Sequence, residues 1–193
     1  MDSEKKVYAA DTYVFWDIVD FKVDEDEDEI DSFHTDLEFS LLREGHNGAM
    51  IIIAYGHAER SSLLGLESLH PHIQLKRQST KFARLNHMLL DMVSCVHINR
   101  TENFMLIMKG MAEEDAEVVR VIKELQQRDR HVILVVDDSE ELCAYPSEVL
   151  SSCTVWLWKD LLHGERPIRR PLNTSEDNDD DDDDDDGFLL ERA

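Results

Sequence analysis

Between Gly48 and Gly56 the chain is apolar without a break: Ala49-Met50-Ile51-Ile52-Ile53-Ala54-Tyr55. This run constrains the fold more than any other feature. It is far shorter than the roughly 20 residues that a membrane helix requires. It does not alternate with polar residues, so as a strand it must be covered on both faces, which is the situation inside a parallel sheet. Tyr13-Val14-Phe15-Trp16-Asp17-Ile18-Val19 reads as a buried strand too. Phe104 to Met108 and His131 to Val136 are further strands, and His72-Ile73-Gln74-Leu75 and Val155-Trp156-Leu157-Trp158 are short ones.

The segments between them carry helical spacing. Phe33, Leu37, Leu41 and Leu42 fall on one side of a helix that Asp31-Ser32 would cap. Ser61 to Ser68 is a short helix candidate. Phe82, Leu85, Met88, Leu89, Met92 and Val96 recur at three- and four-residue steps, predicting an amphipathic helix over residues 81–97, and Val118, Val119, Ile122 and Leu125 mark another over 112–128. Leu161 and Leu162 begin a last helical turn. Strands alternating with helices predict an α/β fold, doubly wound with right-handed crossovers. The periodicity covers residues 11–163, leaving a short extension at 1–10 and an acidic tail at 164–193.

Charge is distributed unevenly. The formal net charge is −23, of which residues 165–193 contribute −8 and the run Asp24 to Glu29 another −6, leaving −9 elsewhere. The run predicts a solvated loop. Eight consecutive aspartates, Asp179 to Asp186, repel one another and predict disorder in the tail. Such a chain repels polyphosphate at long range, so nucleic-acid binding needs a local basic patch or a bridging cation. Lys76-Arg77, Lys81 and Arg84 form the basic cluster before the tail and are the candidate nucleic-acid contacts. Cys95, Cys143 and Cys153 lack metal-ligand spacing and read as free thiols of a reducing compartment. His70, His72 and His87 complete no zinc set. Met1 is followed by charged residues rather than a secretory apolar region, and no apolar run is long enough to span a membrane. The expected setting is intracellular, cytoplasmic or nuclear.

In parallel α/β sheets ligands sit beyond the carboxyl ends of the strands, so acids placed there are the candidate chemistry. Asp17 closes an otherwise apolar strand and Asp20 follows it. Asp91 lies in the 81–97 helix, which would carry it to the same rim. Glu113, Glu114 and Asp115 follow the fourth strand, and Asp137-Asp138 ends the fifth as a turn. Carboxylates that converge need a cation, and Mg²⁺ or Mn²⁺ held by Asp17, Asp20, Asp91 and Asp115 would activate water against a phosphodiester. No GxGxxG, P-loop or GxSxG motif is present. A glycosidase pair finds no sugar-stacking aromatics beyond Trp156 and Trp158, which read as core.

The segments Val14-Phe15-Trp16-Asp17-Ile18-Val19-Asp20-Phe21, Ile52-Ile53-Ala54-Tyr55-Gly56, Lys81 to Met92 and Val155-Trp156-Leu157-Trp158-Lys159-Asp160-Leu161-Leu162 resemble, in order, four segments of NYN domains. Their usual forms are WDI-x-[ND], AYGD, K-x-x-x-x-x-x-M-L-x-D and WLW-x-x-L. The likeness covers residues 11–163 and is nearest to the limkain-like (meiosis regulator and mRNA stability factor) group, best to a divergent plant branch described as endonuclease or glycosyl hydrolase. It implies a three-layer α/β/α PIN-like fold with a mostly parallel sheet of five to six strands. It also implies metal-dependent cleavage of single-stranded RNA or regulation of gene expression, and association with peroxisomes. Asp17 and Asp91 match the family's first and helical acids, and Asp20 stands where many members have Asn. Two positions depart: His57 replaces the aspartate of AYGD, and Met111 replaces the first aspartate of S-G-D-x-D-F, so that only a short insertion lets Asp115 serve as the third catalytic acid. The alternative is a catalytically degenerate domain acting as an adaptor or RNA regulator, its acidic loop and tail binding basic proteins or shielding the site.

Overall fold

The computed structural model describes residues 9–23, 27–57, 73–96, 102–110 and 116–169. Strands β1 (Thr12–Asp17), β2 (Met50–His57), β3 (Ile73–Gln78), β4 (Asn103–Ile107), β5 (His131–Val136) and β6 (Cys153–Leu157) form one sheet in the order β3-β2-β1-β4-β5-β6. Every pairing is parallel. The helices are α1 (Glu27–Arg43), α2 (Lys81–Cys95), α3 (Ala116–Gln127), α4 (Ser139–Cys143), α5 (Ser147–Leu150) and α6 (Trp158–Leu162).

Strand order and handedness explain the layers. The chain steps from β1 through β2 to β3, then jumps back to β4 and continues the other way. Right-handed crossovers therefore put α1 on one face and α2, α3, α4 and α5 on the other. Two cores follow. Val14, Trp16, Ile52, Ala54, Met105 and Ile133 pack under α1 and α6. Phe15, Ile53, Tyr55, Leu106, Leu134 and Val155 pack under α2, α3 and α5. Both faces of the central strands are buried, the condition that their unalternating sequences demand. Gly48 lies so close to Ala10 that a Cβ would overlap the Ala10 carbonyl, which ties the entry of β2 to the entry of β1. Among the described residues, no helix is long and apolar enough to cross a membrane.

Several boundaries differ from the sequence reading. Helix α1 starts at Glu27, inside the acidic run expected to be loop, and Asp31-Ser32 lies within the helix rather than at its cap. Acids in a first turn suit the positive end of the helix dipole, so the run tolerates helix. Leu42, expected in the core, is exposed. Strand β3 runs three residues past Leu75, so the basic residues Lys76 and Arg77 are strand residues. Helices α4 and α5 were not expected; Asp138 caps the first, its Oδ1 accepting the Glu140 and Glu141 N–H groups at 2.9 Å each. Packing continues past His163. Arg43 donates to the Gly164 and Glu165 carbonyls, Trp156 Nε1 donates to Glu165 at 3.2 Å, and Arg169 bridges to Val155. The Ser61–Ser68 helix and the polyaspartate tail lie outside the described residues.

The amino edge of the sheet holds buried polar side chains. The rings of His46, before β2, and His131, opening β5, stack with centroids 5.3 Å apart, and His131 Nε2 meets Thr154 Oγ1 at 3.0 Å. Burial pushes His46 down from 6.5 to about 4, Glu44 opposing it weakly, and pushes His131 to about 3 with a further contribution from His46. Below pH 6.5 the unfolded chain takes up protons that the folded chain refuses, so stability falls as pH falls. The loss is roughly 2 kcal/mol per histidine between pH 7 and pH 5. Urea unfolding across that interval should show the loss in the wild type and a flatter profile in a His46→Gln, His131→Gln double variant; equal slopes would assign the titration to other groups.

Candidate acid pocket at the sheet's switch point

Strand β1 leads one way to β2 and β4 lies on its other side, so the carboxyl end of β1 is the point where the winding reverses. Ligands of doubly wound sheets bind there. The folds that bind dinucleotides place a glycine-rich turn at this position. Here the turn is Asp17-Ile18-Val19-Asp20-Phe21, without glycine. Trp16 Nε1 donates to the Phe21 carbonyl at 2.8 Å, and the Phe21 N–H donates to the Asp17 carbonyl at 3.0 Å. Asp17 Oδ1 accepts the Val19 N–H at 2.9 Å and the Asp20 N–H at 3.3 Å. The Asp17 carboxylate therefore shapes its own turn, as Asx residues do.

The other oxygen is held from across the pocket. Arg84 Nε donates to Asp17 Oδ2 at 2.6 Å, and Arg84 Nη2 lies 3.8 Å from Asp20 Oδ1. Lys81 Nζ adds a contact to Asp20 Oδ2 at 3.5 Å. Helix α2 brings both cations because it starts directly after β3, at the carboxyl rim, where Thr80 Oγ1 caps it by accepting the Ala83 N–H at 3.1 Å. The Asp17 side chain is 0 % exposed and that of Arg84 4 %. Burial pushes the Asp17 carboxyl above its ordinary range, the Arg84 hydrogen bond pulls it back, and the charge of Asp20 raises it again.

Asp91 lies seven residues after Arg84, about 10 Å further along the helix axis. Its Oδ2 accepts the Tyr55 hydroxyl at 2.7 Å and its Oδ1 pairs with Lys76 Nζ at 2.6 Å. Asp17, Tyr55 and Lys76 occupy one row across β1, β2 and β3, so both carboxylates rest against that row while each has its own cation. Burial, followed by the hydrogen bond to Asp91, pushes the Tyr55 hydroxyl far up, so it stays a donor.

On the other flank of the switch point, Lys109 pairs with Asp137 at 2.6 Å and lies 5.3 Å from the centre of the Phe21 ring. Glu141 accepts the Gly110 N–H at 2.5 Å and the Asp137 N–H at 2.9 Å, lacing the ends of β4 and β5 together. Burial raises the Glu141 carboxyl and those two hydrogen bonds oppose the rise. Asp137-Asp138 is thus a turn, as its sequence reads, and Asp138 is also a helix cap that the sequence reading did not include. Glu113, Glu114 and Asp115 lie outside the described residues.

These donors do not fit a divalent ion as they stand. Mg²⁺ and Mn²⁺ take free carboxylate oxygens at about 2.0–2.1 Å. Both oxygens of Asp17 and both of Asp91 are engaged by N–H or O–H donors. Among the described residues no three acids, histidines or cysteines gather in a metal-binding arrangement. The basic residues also divide. Lys76, Arg77 and Lys81 reach the surface, whereas Arg84, expected to face RNA, is buried under the turn. Reasoning on acids alone missed Arg84, yet its signal was present. Arg84, Met88 and Met92 follow four-residue steps, so Arg84 occupies an inward position, and an inward cation requires a buried anion. No family model matches the sequence, and no curated protein matches it.

Breaking one side of a buried pair strands the other charge, at a cost of about 3–5 kcal/mol. Arg84→Met should lower unfolding stability by that order, and Asp17→Asn combined with Arg84→Met should recover part of it. Denaturant titration of the two single variants and the double variant measures the coupling; additive losses below about 1 kcal/mol would show the two charges to be independent.

Proposed function

We propose that the chain is an NYN-type, PIN-like domain that regulates RNA as a non-enzymatic binding or adaptor module. The observation that carries this reading is the buried Arg84 guanidinium against Asp17 and beside Asp20, where a nuclease of this class needs carboxylate oxygens open to a cation. The pocket is electrically closed from within. RNA would lie instead along the outer edge of the sheet, where Lys76 and Arg77 on β3 and Lys81 at the start of α2 face solvent. Lys76 and Lys81 already pair with Asp91 and Asp20, so phosphate must compete with carboxylate for them, and binding is weak and salt-sensitive. The chain's acidity has the same effect.

The endoribonuclease reading keeps one favourable observation: Asp17 and Asp20 stand together at the switch point where doubly wound folds place their chemistry. The two readings separate in one experiment. Anisotropy titration of fluorescent single-stranded RNA, with chelator and with Mn²⁺, should give the same affinity in both. Three surface cations predict a slope of about −2 in log affinity against log salt. Incubation with Mg²⁺ or Mn²⁺ should yield no cleavage above that of Asp17→Asn. Mn²⁺-dependent cutting lost in Asp17→Asn would replace the adaptor reading by the nuclease, and absence of RNA binding at low salt would remove both RNA roles.

A further inference from the structure

Strand β6 ends the sheet, and its outer edge is covered by the chain itself. After α6 the chain turns at Gly164, whose φ is 65°, and runs back along the strand. Glu165 is anchored from three sides. Its N–H donates to the Asp160 carbonyl at 2.8 Å, and its carbonyl accepts Trp156 Nε1 at 3.2 Å and Arg43 Nη2 at 2.6 Å. Beyond it the hold narrows to one point. The Ile168 N–H donates to the Val155 carbonyl at 2.8 Å and the Val155 N–H donates to the Arg169 carbonyl at 2.9 Å, forming an isolated antiparallel bridge. Pro167 has no N–H to give, and Ile168 is 45 % exposed, so its side chain adds little packing. Residues 166–169 thus form a lightly held strap that starts from a firmly held Glu165.

An open strand edge invites pairing with another strand, and charge or proline on the edge usually prevents it. Strand β6 reads Cys153-Thr154-Val155-Trp156-Leu157, with neither. Backbone groups alternate sides along a strand, so the Cys153 N–H and C=O and the Leu157 N–H face the same way as those of Val155. Among the described residues the strap bonds Val155 alone. Its bridge falls on the middle residue of the strand and is antiparallel. An antiparallel copy of β6 laid on the same centre sets Val155 against Val155 and Cys153 against Leu157. That is a self-complementary two-fold pairing, and it offers three facing pairs where the strap offers one. We propose that residues 166–169 are an autoinhibitory strap. Seated, the strap keeps β6 closed; released, it lets β6 pair with β6 of a second copy. The net charge of −23 on each chain opposes the approach, and salt screens that repulsion, so pairing of the released chain strengthens as salt rises.

Sedimentation velocity combined with amide hydrogen exchange tests the strap. A chain ending at Glu165 keeps the anchors of Glu165 and loses the strap. It should dimerise at least about tenfold more tightly than the full chain, and more so at higher salt. A chain ending at Asn173 keeps the strap and should associate no better than the full chain. It is the stricter control, because it sheds more negative charge than the longer deletion, which also removes Arg166, Arg169 and Arg170. In the dimer the Cys153 and Leu157 amides should gain protection and the Val155 amide should keep its own. Ile168→Pro in the full chain removes the 2.8 Å bond to Val155 without touching the core, and it should shift association the same way even if the shortened chain folds poorly. Association no tighter than that of the full chain in the Ile168→Pro variant would overturn the proposal. So would equal dimerisation of the chain ending at Asn173, or a dimer whose Cys153 and Leu157 amides exchange freely.

Discussion

A carboxylate with no exposure must find its counter-charge inside the protein, and the layout around Asp17 follows from that requirement. An isolated ionised carboxylate in such a place would cost many kcal/mol or would simply bind a proton. Here one oxygen is met by two backbone N–H groups of the turn that follows β1 and the other by the Arg84 guanidinium. Satisfying the first oxygen bends the chain sharply after Asp17 and sends Phe21 back beneath Trp16 and Trp158. Satisfying the second sets the register of α2, because Arg84 must stand in its first turn while Leu85, Met88 and Met92 reach the core. The Thr80 cap then fixes where the helix begins. One buried charge thus joins the first strand, the turn and the principal helix of one layer.

The same reasoning explains what sequence alone could and could not show. The strands were legible because both faces of a parallel sheet are buried, and Ile51-Ile52-Ile53 or His131 to Val136 cannot be satisfied elsewhere. Layering followed from alternation and handedness. Boundaries failed where charge and propensity compete: helix α1 begins at Glu27, inside an acidic run, and Asp138 caps a helix too short to show periodicity. For the pocket, the acids at strand ends were visible as types, but their partners were not. Nothing local reveals that Asp91, two turns after Arg84, is met by Tyr55 and Lys76. Depth along a helix is a tertiary quantity, fixed by where the preceding strand ends.

Among the described residues, each of these carboxylates is answered by a cation. Asp17 has Arg84, Asp20 has Lys81, Asp91 has Lys76, and Asp137 has Lys109. Each pair joins two different elements, so the pairs act as braces across the carboxyl ends of the strands, with the backbone bonds of Glu141 adding another between β4 and β5. Exposed braces of this kind contribute little each. The Asp17–Arg84 pair differs because water cannot replace either partner. A divalent ion seeking the Asp17 carboxylate must displace a buried guanidinium. The competition is therefore between a cation already bonded at 2.6 Å and one that must first be stripped of water.

That competition bears on the surface as well. Arginine keeps its charge at every accessible pH and presents a planar fork suited to carboxylates, and burial makes its replacement by a hydrated ion costlier still. Among the described residues Arg84 answers the charge of Asp17, so the field outside is set mainly by what remains unburied. Along β3 and the start of α2 what remains is basic, while most of the chain is acidic. At physiological salt, exposed charges more than about 8 Å apart barely sense one another, so Lys76 and Lys81 answer to Asp91 and Asp20 beside them rather than to the net charge.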